Sequence, residues 1–567
     1  MPNYLNIQDP LNVFAHRART DFYVDKTLMI EELEDQVCRL GHKSICLTRP
    51  RRFGKSMMAA TIGAFFTKGQ DSSSVFSRFK ISQTKSFSQI NSKNVFYIDM
   101  SHAVANSLSL DDLIINLCSS IIDDLSKAPT SVKVESIGNA PGDAKTSPVR
   151  PNMCIQASLL LDRTVAALIA SSEKFVFVVD SWDSPLQKSF MFDEYKPVYL
   201  DFLKTLFSQQ PFVDFSYITG VQPMPSSCDR FHQFIFGRDK LFCAYFGFTQ
   251  AEVSELRSRY AKFFKETGMR QMMSLQNLKR YYDGYKTPLG ANMYNPGDVA
   301  SVLTNNCVAH FWAKTGGTKK ILNYLSLNFP AISAVVASLV KDKNVVLEQA
   351  KASLDELVFG LKIPETRDEI LSMMVAKGLL TYHDKTVSIP NMETRMDFIT
   401  AIENDERFGA LHKLVSKTYS ILDAMLSKDS DALAALLNQA NVEESPFLSF
   451  DNEAELANII SMASLLALDK YELKRLNPDG KGFADVLFTP TDKQEQTLVV
   501  ELRIARDADL VLRQLKGNYQ ESFLAKRYSR PVLLVAIAYD RETKTHSCKI
   551  EDLALLSHNR QRRWIDR

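Results

Sequence analysis

The sequence predicts an α/β protein: a parallel-sheet core toward the N-terminus, a helical middle region and a small α/β block at the end. Three observations carry that expectation. Short runs of β-branched and aromatic residues, apolar on both faces, alternate with helical patterns, which is how buried parallel strands read. A basic loop ending in Gly-Lys-Ser joins the first of these runs to a helix. Near the end of the chain, acidic residues interrupt two otherwise apolar strands. With 567 residues, and roughly 150 per domain, about three or four folding units are expected.

The first block supplies the runs Ser44–Thr48, Asn94–Met100, Lys174–Asp180 and Phe215–Thr219 as strands. Helical stretches such as Ser56–Phe66 and Leu108–Leu125 lie between them and complete a βαβ alternation. Ser126 to Asn152 carries four prolines and no apolar period, so it reads as an exposed insertion. From about Thr249 to Lys428 the pattern is mostly helical. The last block, about Phe450 to Leu553, offers strands at Ala484–Phe488, Thr497–Arg503 and Pro531–Tyr539, with a helix near Leu510–Arg527. The expected domains are residues 1–248, 249–445 and 446–567, the first holding the insertion at 126–152 and the last ending in a basic tail.

Hydrophobic residues at 45% and charged residues at 24% exclude wholesale disorder. The 68 Lys+Arg and 66 Asp+Glu leave a net charge of +2, so binding to nucleic acid requires a local patch. Eight cysteines without a CxxC pair argue against a disulfide framework or zinc knuckle and for free thiols in a reducing compartment. The N-terminus lacks the basic and apolar regions of a signal peptide. No run approaches the roughly 18 apolar residues of a membrane span. The expectation is an intracellular chain, cytoplasmic or nuclear, with no membrane segment.

The loop Arg49-Pro-Arg-Arg-Phe-Gly-Lys55-Ser56 between strand and helix suits phosphate. Gly54 lets the backbone close on phosphate oxygens, and the helix N-terminus presents unpaired N–H groups. Lys55 would reach the β- and γ-phosphates, and the Ser56 hydroxyl would ligate Mg²⁺. The full GxxxxGK[ST] pattern needs Gly where this chain has Arg49, and a plain basic loop before a helix would read alike. Two further strand ends fit the phosphate reading. Asp180 could hold Mg²⁺ through water, and Thr219 could sense a γ-phosphate.

Taken in order, Tyr23-Val-Asp-Lys-Thr27, Thr48-Arg-Pro-Arg-Arg-Phe-Gly-Lys-Ser56, Asp180-Ser-Trp-Asp183, Ile218-Thr-Gly-Val221, Phe246-Gly-Phe-Thr249, Tyr281-Tyr-Asp-Gly-Tyr285 and Tyr294-Asn-Pro296 form a specific set. The chain resembles the AAA-ATPase-like proteins fused to a PD-(D/E)XK nuclease-like domain. The resemblance covers about Tyr23 to Trp312 and resumes near the C-terminus. It implies a P-loop ATPase core, a helical lid and a restriction-endonuclease-like C-terminal domain, with ATP and Mg²⁺ as cofactors. Arg52, Gly54, Lys55, Ser56, Asp180, Asp183 and Thr219 are then the nucleotide-site residues, with Ser56 and Asp180 on the metal. In that family the Gly-poor loop is the normal form. Where the family has Asp-Glu-Tyr-Asp, however, this chain has Asp180-Ser181-Trp182-Asp183. Ser181 cannot act as a carboxylate base, which argues against fast hydrolysis and leaves Mg²⁺–nucleotide binding intact. Asp183 reads as a structural or supporting acid.

In the last block, Asp485 and Glu501 each interrupt an apolar strand, and Glu501 and Arg503 share a face by period two. Two such carboxylates could share a divalent metal and activate water for phosphodiester cleavage, though a half-buried sheet with exposed charges would look similar. The resemblance makes Asp485, Glu501 and Arg503 the catalytic set, aided by Glu455 upstream and by a helix with Gln514 and Tyr519. It departs at Arg503, where the family has Lys, because a guanidinium does not deprotonate. The Tyr-His that usually follows the helix acid here reads Asn458-Ile459. Two functions therefore remain open: an ATPase-like protein acting on DNA or RNA, or a pseudoenzyme that uses nucleotide as a switch for an interaction module. A homo-oligomer or a protein partner fits either. The nine histidines form no HExxH or His/Cys cluster, and the basic tail Asn559 to Arg567, with Trp564, could touch a nucleic-acid backbone or simply be solvated.

Overall fold

The computed structural model describes residues 3–20, 22–127, 150–268, 273–306, 323, 329–341, 344–347, 364, 366–441, 460, 464, 467, 470–475, 485–490, 495–521 and 532–553. These gather into two compact units, Met1–Phe311 with Asn344–Glu393, and Trp312–Lys343 with Thr394–Arg567.

The first unit runs α1 (Asp9–Ala18), α2 (Met29–Cys38), β1 (Ser44–Thr48), α3 (Lys55–Phe66), β2 (Asn94–Asp99), α4 (Met100–Ala103) and α5 (Leu110–Lys127). It continues through α6 (Ile155–Ala170), β3 (Phe175–Asp180), α7 (Lys196–Phe207), β4 (Val213–Gly220) and β5 (His232–Phe234). All five strands are parallel, in the order β2-β3-β4-β1-β5. Successive residues of a strand point to opposite faces. Ile45, Leu47, Val176, Val178, Phe215 and Tyr217 therefore pack with α1, α2 and α3. Cys46, Phe177, Val179 and Ile218 pack with α5, α6 and α7. Helices on both faces leave no polar side to the sheet, which is why its strands read as continuous apolar runs.

Three more helices follow, α8 (Gln250–Glu266), α9 (Leu275–Tyr282) and α10 (Pro296–Asn305). They share a core of Val253, Leu256, Leu278, Tyr282, Val299 and Val302. Thr249 and Glu252 form a capping box that starts α8, and Glu252 also accepts from Lys26 Nζ at 2.6 Å. After α9 the chain turns at Gly284, with φ of 102°, and a Cβ there would lie 1.8 Å from the Pro390 carbonyl oxygen. Only glycine fits.

In the second unit, α11 (Thr418–Leu426), α12 (Ser430–Asn441), β6 (Tyr471–Arg475), β7 (Val486–Pro490), β8 (Thr497–Ile504), α13 (Ala508–Glu521), β9 (Val532–Asp540) and β10 (Thr545–Leu553) build a smaller domain. Its sheet keeps chain order, β6-β7-β8-β9-β10, and is parallel only between β8 and β9, the pair separated in sequence by α13. Leu498, Val500 and Leu502 pack with α11 and α12 on one face, and Val499 packs with α13 on the other. The seven cysteines among the described residues are free thiols. No described helix is long and apolar enough to cross a membrane.

Candidate nucleotide site and the C-terminal carboxylates

Ligands of open parallel sheets gather at the carboxyl ends of the strands. There, β1 passes through residues 49–54 into α3. Gly54 takes the left-handed conformation, φ 89°, and is the N-cap of α3, so the first N–H groups of the helix face the loop. Lys55 is 8% exposed, and its Nζ donates to the carbonyls of Arg49 (3.0 Å) and Pro50 (2.8 Å). Burial pushes its ammonium down to about 8, against the attraction of Asp183 and Asp180.

The three arginines of the loop have three different settings. Arg49 is buried and forms an ion pair with Asp239, donates to the carbonyls of Thr48 and Phe234, and lies 4.9 Å from the Phe246 ring centroid. It is an internal strut, not the phosphate grip its place in the loop invites. Arg51 is exposed and reaches Gln187 Oε1 at 3.3 Å. Arg52, expected on the nucleotide, instead donates to the Gly297 carbonyl and Ser301 Oγ, both at 2.6 Å, and pairs with Asp298 at 3.1 Å. In return Gly297 N–H donates to the Arg52 carbonyl, and Asn295 Nδ2 to that of Arg51. The Tyr294-Asn-Pro296 motif thus clamps the loop to the N-terminus of α10.

Asp180 ends β3 and is 3% exposed. Its Oδ1 accepts from Thr219 Oγ1 at 2.5 Å, and Ser56 hydrogen-bonds the same carboxylate. Burial raises its proton affinity, Ser56 and Thr219 lower it, Asp99 raises it and Lys55 lowers it. Thr219 Oγ1 also accepts from Ser181 N–H at 3.4 Å, where Ser181 holds a φ of 60°. Mg²⁺ bound through one hydroxyl and one carboxylate, with phosphate and water completing its shell, needs those two groups side by side. Ser56 and Asp180 meet that need.

Asp183 is 2% exposed and accepts from the N–H groups of Val221 and Gln222. That ties down the chain after β4. Asp99, which sequence reasoning did not single out, ends β2 as the in-register partner of Asp180.

In the second unit, Asp485 and Glu501 come together, but around a cation the chain itself supplies. Arg503 pairs with Asp485 Oδ2 at 3.1 Å and with Glu501, and donates to the Leu502 carbonyl at 2.7 Å. Glu501 is 0% exposed and Asp485 is 7% exposed; Leu502 N–H donates to Asp485 at 2.8 Å. The guanidinium stands between the two carboxylates and offsets one of their two charges, so the place a divalent metal would take is filled by the chain's own cation. Among the described residues no three His, Cys, Asp or Glu converge as a metal cage. Gln514 is exposed on α13, which also carries Tyr519. Glu455, Asn458, Ile459, the tail 559–567 and most of the 126–152 insertion lie outside the described residues.

Residues 13–227 match the family model AAA-ATPase-like, described as a predicted AAA-ATPase. No curated protein matches the chain. Among solved structures, the Walker-type ATPase PABY2304 of Pyrococcus abyssi is 13% identical, with a TM-score of 0.35, over 67% of this chain and 97% of its own.

Proposed function

We propose that the chain is an ATP-binding P-loop protein whose C-terminal unit is a divergent nuclease-like module that holds nucleic acid without cutting it. The observation that carries the first half is the convergence of Lys55, Ser56, Asp180 and Thr219 at the carboxyl ends of β1, β3 and β4. Lys55 would exchange the Arg49 and Pro50 carbonyls for β- and γ-phosphate oxygens, and the α3 N-terminus would meet the phosphates with N–H groups. Ser56 and Asp180 would hold Mg²⁺, which screens the phosphate charge when bound. Thr219 reads the γ-phosphate side through its bond to Asp180. The family model over residues 13–227 supports this reading.

The second half rests on Arg503. A carboxylate pair bridged by a guanidinium has lost half its charge and has a cation standing where a metal would sit, which favours a binding module over a nuclease. DNA or RNA, in an intracellular setting, is the proposed partner of that unit.

The test is Mg²⁺–ATP binding by purified protein, wild type beside Lys55→Ala, followed by calorimetry or a fluorescent ATP analogue. Affinity lost in the variant supports the site, and a wild type that does not bind ATP refutes it. Labelled single- and double-stranded DNA and RNA are then tried with Mg²⁺. Retention without cleavage fits the module, and cleavage removes the second half of the proposal.

A further inference from the structure

Ser181 occupies the place beside Asp180 where a water-activating carboxylate is expected, and its hydroxyl cannot hold water's proton near neutral pH. The next acid along, Asp183, has its oxygens engaged by Val221 and Gln222 N–H groups and is 2% exposed, so it is closed to water. One strand over, the situation differs. Asp99 ends β2, and Asp180, its in-register partner, ends β3. In-register partners on adjacent strands leave the same face of a sheet. Val95 and Val178 lie an even number of residues before Asp99 and Asp180 respectively, and both pack in the core that α3 completes. Asp99 therefore stands next to Asp180 on the side where Ser56 and the α3 N-terminus lie.

Asp99 is half-buried. Its Oδ1 accepts the N–H groups of Ser101 (2.8 Å) and His102 (3.3 Å) at the start of α4, and no described group bonds Oδ2. A cavity of about 900 Å³, lined also by Tyr97 and His102, opens onto it, so water reaches the carboxylate. We propose that Asp99 is the general base of ATP hydrolysis in this protein, in place of the acid missing at Ser181. In the step, the water oxygen bonds to the terminal phosphorus while the bond from that phosphorus to the bridging oxygen breaks. The bonding pair leaves with ADP, the water proton passes to Asp99 Oδ2, and inorganic phosphate is the second product. The proton then returns to solvent. This rests on the nucleotide reading above.

Asparagine caps a helix as aspartate does but takes no proton from water, so Asp99→Asn separates the base from the cap. Mg²⁺–ATP affinity, melting temperature and steady-state turnover are measured for wild type, Asp99→Asn and Asp99→Ala. Asp99→Asn keeps wild-type affinity and melting temperature, while kcat falls by about 10²- to 10³-fold. Asp99→Ala loses the cap as well, and melts lower. Wild-type turnover by Asp99→Asn overturns the proposal. So does a wild type that binds Mg²⁺–ATP and releases no phosphate above the buffer background. A wild type that fails to bind ATP overturns the nucleotide reading itself, and this role for Asp99 with it.

Discussion

Thr219 Oγ1 donates to Asp180 Oδ1 at 2.5 Å and accepts from Ser181 N–H at 3.4 Å, joining the carboxyl ends of two neighbouring parallel strands through one hydroxyl. Burial alone would favour a neutral Asp180, and the donated hydrogen bonds of Thr219 and Ser56 oppose it. Thr219 thus helps keep the Asp180 carboxylate ionised despite its burial.

Replacing Thr219 by Val preserves shape and removes the hydroxyl. Asp180 loses a donor and Ser181 N–H an acceptor, at a cost of about 1–3 kcal/mol in unfolding free energy. Thr219→Ser keeps most of the stability. Urea unfolding of both variants reads the difference, and a Thr219→Val protein as stable as wild type would show that the bond contributes nothing.

Lys55 gives the site a pH signature. Burial first, opposed by Asp183 and Asp180, brings its folded value down to about 8 from the ordinary 10.5. Below about 8 the native state carries a buried ammonium at full cost. Between that value and 10.5 the native lysine sheds its proton while the unfolded chain keeps it, so stability rises with pH across the window. The phosphates of ATP restore the charge, so binding just above pH 8 takes up protons. Calorimetry in buffers of different ionisation heat detects the uptake, and Lys55→Met abolishes the rise in stability. A binding heat independent of buffer at that pH contradicts the assignment.

Much of this site is legible in the sequence because its residues sit at boundaries. Lys55 and Ser56 open a helix, and Asp180 and Thr219 finish or nearly finish apolar runs, so periodicity alone puts them at one edge of a parallel sheet. Strand Ser44–Thr48 is read residue for residue. What escapes depends on distant pairing. Arg49 looks like one more residue of a basic loop until Asp239, 190 residues on, is folded against it. Asp99 looks like a turn residue until register sets it beside Asp180. Strand His232–Phe234 is too short to show a period, and Thr545–Leu553, with alternating exposed polar residues, lacks the apolar run that marks the other strands. The antagonism of Arg503 to a metal is half visible, since its face follows from period two, while its bridge across both carboxylates needs the pairing of β7 with β8.

Gly220, at the end of β4, is fixed by its neighbours. A Cβ there would lie 2.5 Å from Trp182 Cδ1 and Nε1 and 2.9 Å from Asp183 Oδ1. Trp182 has no easy retreat, because it is 1% exposed and its Nε1 donates to the Gln222 carbonyl at 3.1 Å. Gly220→Ala is expected to destabilise by about 1–3 kcal/mol, as overpacking does, and to loosen the chain that Asp183 ties down. Thermal unfolding tests the first effect. An unchanged melting temperature would mean that the indole moves freely.

Arg503 answers the sharpest question about the second unit, namely whether its carboxylates await a metal. Glu501 and Asp485 are both buried, and removing their shared cation leaves two uncompensated charges, at a cost of about 3–5 kcal/mol. A divalent cation can then take the vacated place, because what excluded it was charge and volume, not a shortage of oxygen ligands. Arg503→Ala is therefore expected to melt well below wild type and to recover part of the loss in millimolar Mn²⁺, while wild type does not respond. Arg503→Lys, a compact cation on a shorter reach, should fall between them. Differential scanning fluorimetry, with and without Mn²⁺, reads all three proteins, and Arg503→Met supplies a control that restores bulk without charge. If wild type is stabilised by Mn²⁺ and the gain vanishes in Glu501→Gln, the carboxylates bind metal with Arg503 in place, and the module regains its standing as a nuclease candidate.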